Sequence, residues 1–210
     1  MPIPAYKKFE LGTYIEYGLS DRVTLIAQPS VDLVHQASAQ AAPPSAAGTN
    51  LGTRLGLANF GATVVSLQGL VHLPFAAGSR QAGFFDQDRV PAADLRLLLE
   101  HGFVIGTKTG FLDVEESHRW QGNSLPEEWH TDVTLGLRPI PPLLVMLASF
   151  MTVAGHLNAT RSSWSWLKLQ PSIVYDLSRH WSVEAGFFAT VAGQNAGREL
   201  GSLAALWYRF

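Results

Sequence analysis

The stretch Trp166-Leu-Lys-Leu-Gln-Pro-Ser-Ile-Val-Tyr-Asp-Leu177 alternates. Leu167, Leu169, Pro171, Ile173, Tyr175 and Leu177 hold the odd positions, while Lys168, Gln170, Ser172 and Asp176 hold even ones. Successive side chains of a strand point to opposite faces, so this segment reads as a strand with one oily and one polar face. Leu-Ser-Arg-His (177–180) reads as a tight turn, and the pattern then restarts. Trp181, Val183, Ala185, Phe187, Ala189 and Val191 alternate with Ser182, Glu184, Gly186 and Thr190.

The same period recurs along the chain. Phe9, Leu11, Thr13, Ile15 and Tyr17 oppose Lys8, Glu10, Tyr14 and Glu16. Leu-Ser-Asp-Arg (19–22) follows as a turn, and then Val23, Leu25, Ala27, Val31 and Leu33 oppose Thr24, Gln28, Ser30 and Asp32. Val65, Leu67, Val71 and Leu73 oppose Ser66, Gln68 and His72. Leu95, Leu97, Leu99, Phe103 and Ile105 oppose Asp94, Arg96 and Glu100. Trp129, Thr131, Val133, Leu135 and Leu137 oppose Glu128, His130, Asp132, Thr134 and Arg138. Segments 51–60, 111–120 and 143–153 carry a weaker alternation. The reading is eleven strands, each longer than the roughly 5–6 residues of a globular strand and matched to the ~9–11 that a tilted strand needs to cross a bilayer.

The connections alternate in length. Short ones are expected at 19–22, 60–62, 106–110, 138–142 and 177–180, and longer ones at 35–50, 74–92, 121–127, 154–163 and 193–198. Outer-membrane barrels pair short periplasmic turns with longer outer loops. The low-complexity run 35–50 is expected to be a loop. Aromatic residues at segment ends, among them Tyr17, Phe75, Trp120, Trp129, Trp164, Trp166, Tyr175, Trp181, Tyr208 and Phe210, fit girdles at two membrane interfaces.

Composition agrees. The chain has 210 residues, of which 47 % are apolar and 15 % charged, with a formal net charge of -2 and mean hydropathy of +0.10. That is too apolar for a disordered chain and not basic enough for a nucleic-acid footprint. With no cysteine, disulfides, thiolate metal sites and cysteine nucleophiles are excluded. The longest apolar run, about ten residues near Pro141–Phe150, is half the ~20 that a spanning helix needs. The expected fold is all-β: one antiparallel transmembrane β-barrel domain over residues 1–210, in the bacterial outer membrane.

The last segment, Leu200-Gly-Ser-Leu-Ala-Ala-Leu-Trp-Tyr-Arg-Phe210, resembles the C-terminal assembly signal of bacterial outer-membrane barrels. That resemblance makes Tyr208 and Phe210 the residues read by the barrel-assembly machinery. Phe9-Glu-Leu-Gly-Thr-Tyr-Ile-Glu-Tyr-Gly-Leu-Ser-Asp-Arg-Val-Thr-Leu25 is similar to the first hairpin of outer-membrane proteins linked to the meta-pathway of phenol degradation. Lys168-Leu-Gln-Pro-Ser-Ile-Val-Tyr-Asp-Leu177 and the stretch from Glu184 to Arg198 look like late strands of the same family. The resemblance implies an envelope transporter and supplies no catalytic motif. Since bacterial barrels have even strand counts, a signal peptide and one further strand are expected upstream, for a barrel of twelve.

No motif for catalysis or cofactor binding stands out. The seven His include no pair at i, i+4, and no Gly-x-Ser-x-Gly or phosphate loop occurs. Ser117 and His118 are adjacent, hence on opposite faces, which speaks against a lipid hydrolase. No catalytic residue, metal or cofactor is assigned. The polar parity of three segments defines the candidate lumen wall: Glu128, His130, Asp132, Arg138, Lys168, Gln170, Asp176 and Glu184. Lys8, Glu10, Glu16, Asp94, Arg96, Glu100 and Arg209 are expected on the same side. The expected role is a narrow channel or transporter for small or hydrophobic molecules. Its expected partners are outer-membrane lipids, the barrel-assembly machinery and a small hydrophobic solute, and not nucleic acid. The alternatives are a non-conducting structural barrel, an outer-membrane lipid hydrolase and a soluble lipocalin-like binder.

Overall fold

A computed structural model describes residues 6–36, 45–77, 90–122, 125–155 and 163–210. Among the described residues there is no helix, and the strands are β1 (Tyr6–Gly12), β2 (Ile15–Gly18), β3 (Val23–Gln36), β4 (Ser45–Phe60), β5 (Thr63–Ala77), β6 (Ala92–Ile105), β7 (Lys108–Gln121), β8 (Glu128–Ile140), β9 (Leu143–Ala154), β10 (Trp164–Asp176), β11 (Trp181–Gln194) and β12 (Leu200–Tyr208). They form one sheet in the order β1-β3-β4-β5-β6-β7-β8-β9-β10-β11-β12, with β2 also paired to β3. Every strand-to-strand register that is defined is antiparallel.

The twelfth strand arises within the first predicted segment. β1 and β2 follow one register on β3, from Tyr6↔Gln36 to Gly12↔Ser30 and again from Ile15↔Ala27 to Gly18↔Thr24. The break falls at Thr13–Tyr14, opposite Pro29. Thr13 donates its N–H to the Pro29 carbonyl at 2.9 Å. Proline has no N–H to return, so the ladder loses one rung there.

A second difference concerns 35–50, expected to be a loop. Residues 37–44 lie outside the described residues, but Ser45–Asn50 belongs to β4 and pairs with β3 from Leu33↔Ser45 to Gln28↔Asn50. Cross-strand hydrogen bonding overrides the low intrinsic strand preference of Ser-Ala-Ala-Gly-Thr-Asn. Parts of the expected loops 74–92, 121–127 and 154–163 also lie outside the described residues.

The short connections are tighter than expected at 106–110 and 138–142, where only Gly106–Thr107 and Pro141–Pro142 form the turns. Gly61 and Gly106 have φ of 67° and 62° at the first turn position, where a side chain would be strained. One four-residue turn is used twice. Ser20 Oγ accepts from the Arg22 and Val23 amides, and Ser178 Oγ accepts from the His180 and Trp181 amides at 3.2 and 3.1 Å. Both Leu-Ser-x-x strings thus supply their own turn acceptor.

The described residues divide into two compact units: those within 1–57, 66–96 and 118–127, and those within 58–65, 97–117 and 128–210. In each, apart from β1 and β2, where residues 7–18 are all exposed, one face of the strands is shielded and the other exposed. In the first, Asp32, Thr49, Ser66, Gln68 and His72 are buried, while Phe9, Leu33, Leu51 and Leu73 are exposed. In the second, Glu128, Ser172, Ser182 and Glu184 are buried, while Leu97, Leu99, Leu135, Ile173, Val183 and Phe187 are exposed. Val133, Leu167 and Leu169, of the same apolar parity, are half-buried. Leu135 is 46 % exposed and Glu128 only 3 %, the reverse of a water-soluble protein. Such a face needs an apolar solvent, which membrane lipid supplies.

Candidate functional site

The predicted wall residues all lie on the shielded face of the second unit, but they form separate groups rather than one cluster. The first group is at the short-turn end. Arg138 Nη1 donates to Asp176 Oδ2 at 2.8 Å and to the Pro141 carbonyl at 3.0 Å. Asp176 Oδ1 accepts from Ser182 Oγ at 2.6 Å, and Arg209 Nη1 lies 3.5 Å from the same oxygen. Arg209 also donates to Ser182 Oγ at 3.0 Å. One carboxylate on β10 therefore gathers an arginine of β8, a serine of β11 and an arginine just after β12. Next to it on β11, the buried Glu184 accepts from Trp207 Nε1 at 3.0 Å.

The second group stands at the opposite strand ends. Glu128 and His130 share a face because they are two residues apart on β8. Glu128 Oε2 is 3.2 Å from His130 Nε2, and His130 Nδ1 is 3.0 Å from the hydroxyl of Thr152, its register partner on β9. Further in from that end, level with Asp132 through their shared register partner Phe150, Lys168 ion-pairs with Glu199, and its Nζ sits 4.3 Å above the centre of the Trp166 ring.

Between the two groups the shielded face mixes small, polar and apolar residues, among them Gly136, Met146, Ala148, Gln170 and the buried Ser172. Ala148 is buried there, while Leu144 and Val174, register partners, are buried at the short-turn end beside Asp176. Gly136 lies under Phe111, where a Cβ would stand 2.1 Å from a ring carbon, and Gly201 lies under Phe188, where it would stand 2.4 Å away. Each glycine is the seat of an aromatic ring from the neighbouring strand. Asp132 and Gln170, both half-buried, stand toward this middle, opposite Phe150 and Ala148 in register. Among the described residues no group of three or more His, Asp or Glu could hold a metal ion.

Parity alone did not identify Ser182, Thr152, Trp207 and Glu199 as partners of the wall. The first unit carries a further polar string that was missed. Asn50 donates to Gln28 Oε1 at 2.8 Å and accepts from His72 Nδ1 at 2.9 Å, so one side chain from each of β3, β4 and β5 joins a continuous row. A layer away, Arg54 pairs with Glu16 at 2.8 Å and bonds to Gln68 and to the Tyr14 hydroxyl. His72 and Gln68 carried a polar-parity signal in the sequence. Asn50 was hidden because its segment was expected to be a loop.

No family model matches the chain, and no curated protein matches it in sequence. Solved structures do. An outer membrane channel from Pseudomonas putida F1 superposes with a TM-score of 0.62 at 14 % identity, over 95 % of this chain and 81 % of that one. CdiB from Acinetobacter baumannii superposes with a TM-score of 0.53 at 10 % identity, over 97 % of this chain but 42 % of that one. At such identities the likeness establishes the fold. The chain has the all-antiparallel fold of bacterial outer-membrane β-barrels, and its exposed apolar face and outer-membrane location go with that fold. The resemblance read from the first hairpin and the late strands points to the same fold.

Proposed function

We propose that this outer-membrane β-barrel is a narrow channel for small solutes, and that the shielded wall of the second unit lines its path. The observation that carries the reading is the state of the wall's charges. Glu128 and Glu184 are buried, but Arg138, Asp176, Lys168 and Glu199 are paired and each side chain keeps between 23 and 29 % of its exposure. Charges packed into a dry plug would be stripped of water at a cost of several kcal/mol each. Charges that stay partly hydrated suit a wet passage. The wall carries charges of both signs, so such a passage selects by size and polarity more than by net charge. The Pseudomonas neighbour is an outer membrane channel, which supports the reading by analogy of fold. In this reading the protein is a conduit and not an enzyme, lipid covers its outer face, and Tyr208 and Phe210 are presented to the assembly machinery.

A second reading is a non-conducting envelope barrel. The cross-strand tie of Arg138, Asp176, Ser182 and Arg209 favours it, because a wall knitted this tightly also serves a plug. Planar-bilayer recording on the refolded protein separates the two. Discrete conductance steps that change when Asp132 or Lys168 is neutralised are expected for the channel. A silent bilayer containing correctly folded protein sinks it.

A further inference from the structure

We infer that Lys168, Trp166 and Phe188 form a binding site for small aromatic carboxylates, and that Glu199 is a built-in competitor for it; the inference rests on the channel reading. Three independent features converge on Lys168. The first is backbone. The register between β10 and β11 shifts between Leu167 and Lys168: Lys168 faces Thr190, but Leu167 faces Ala192. That bulge re-aims the side chains beside it, a device common next to functional sites. The second is the pair of rings. The Lys168 ammonium lies 4.3 Å from the Trp166 centroid and 5.8 Å from that of Phe188, and Gly201 leaves the space that fixes the Phe188 ring. A cation beside two aromatic surfaces offers both a charge for a carboxylate and faces or edges for a flat ring.

The third feature is Glu199. It belongs to the connection between β11 and β12, which turns at Asn195 with φ of 54° and is held by Asn195 Nδ2 donating to the Ser163 carbonyl at 2.9 Å. The Thr190 amide donates to the Glu199 carbonyl at 2.8 Å, and the Glu199 amide donates to Thr190 Oγ1 at 3.0 Å. These bonds anchor the Glu199 backbone while its carboxylate reaches Lys168. Lys168 and Glu199 keep 23 and 24 % exposure, so an incoming anion can reach the ammonium and displace the internal carboxylate. Glu199 then behaves as a stand-in for the ligand, and a solute that brings its own carboxylate and a ring replaces it.

The test is calorimetric titration of the refolded full chain in detergent with benzoate, benzyl alcohol and acetate. Saturable benzoate binding is expected, with the neutral alcohol and the ringless acid each at least about tenfold weaker. Glu199→Gln removes the competitor and tightens benzoate about two- to fivefold, the range of a part-exposed ion pair. Lys168→Met abolishes binding and Lys168→Arg retains it. If Lys168→Met does not fold, Glu199→Gln alone decides. An unchanged benzoate affinity in Glu199→Gln, or equal binding of benzyl alcohol, overturns the site. Binding is read without conductance, so a conducting protein that ignores benzoate refutes the site alone. A silent one that binds it refutes the channel alone.

Discussion

Arg138 on β8 and Asp176 on β10 meet at 2.8 Å although a whole strand, β9, runs between them. Arg209 approaches the same carboxylate from beyond β11. Asp176 thus ties together strands that share no backbone hydrogen bond. Both sides of the Arg138 pair keep about a quarter of their exposure, so solvent screening limits its worth to about 1 kcal/mol. A double-mutant cycle with Arg138→Ala and Asp176→Ala, read by urea unfolding in liposomes, should return a coupling of that size. Asp176→Ala alone should cost more, because it also leaves Arg209 and Ser182 without their shared acceptor.

Leu135 lies midway along β8 on the exposed face. Leu135→Arg should destabilise the folded protein in a bilayer by about 2–4 kcal/mol, the depth-dependent cost of a cation against lipid. The same substitution would be nearly neutral if that face met water. Reversible unfolding in phospholipid vesicles distinguishes the two.

Gly136→Ala should cost about 1–3 kcal/mol, since the new methyl group would overlap the Phe111 ring and force it off its seat. Adding Phe111→Leu should recover part of the loss. Additive penalties in the double variant would show that the ring does not rest on the glycine.

Asn50→Leu should cost about 1–3 kcal/mol, because Gln28 and His72 both lose the amide that joins them. Gln28→Leu, at the end of the row, should cost less. Equal effects would mean that the row is not read through its centre.

Period two was strong enough to reveal nearly every strand, its orientation and its lipid side, because a membrane barrel imposes one parity along the whole crossing. What escaped were features that alternation does not encode. Pro29 broke the first arm through a missing donor, and Ser45–Asn50 became a strand through pairing, against its composition. The wall residues were visible one strand at a time. Their partners were not, since Glu199 reaches Lys168 from a connection and Arg209 reaches Asp176 across β11. Apolar residues on the shielded side, such as Ile26, Leu70, Leu144 and Val174, also ran against the simple pattern.

The missing rung at Pro29 bears on the order in which the first arm is assembled. β2 and the start of β3 enclose only the Leu-Ser-Asp-Arg turn, so their four-pair ladder closes at small entropic cost. β1 must bring ends together over a longer span, and it gains no continuous ladder to zip along past residue 13. The arm is thus two nucleation events in place of one: a local hairpin that forms early, and an outer half that docks on β3 as a separate, later step.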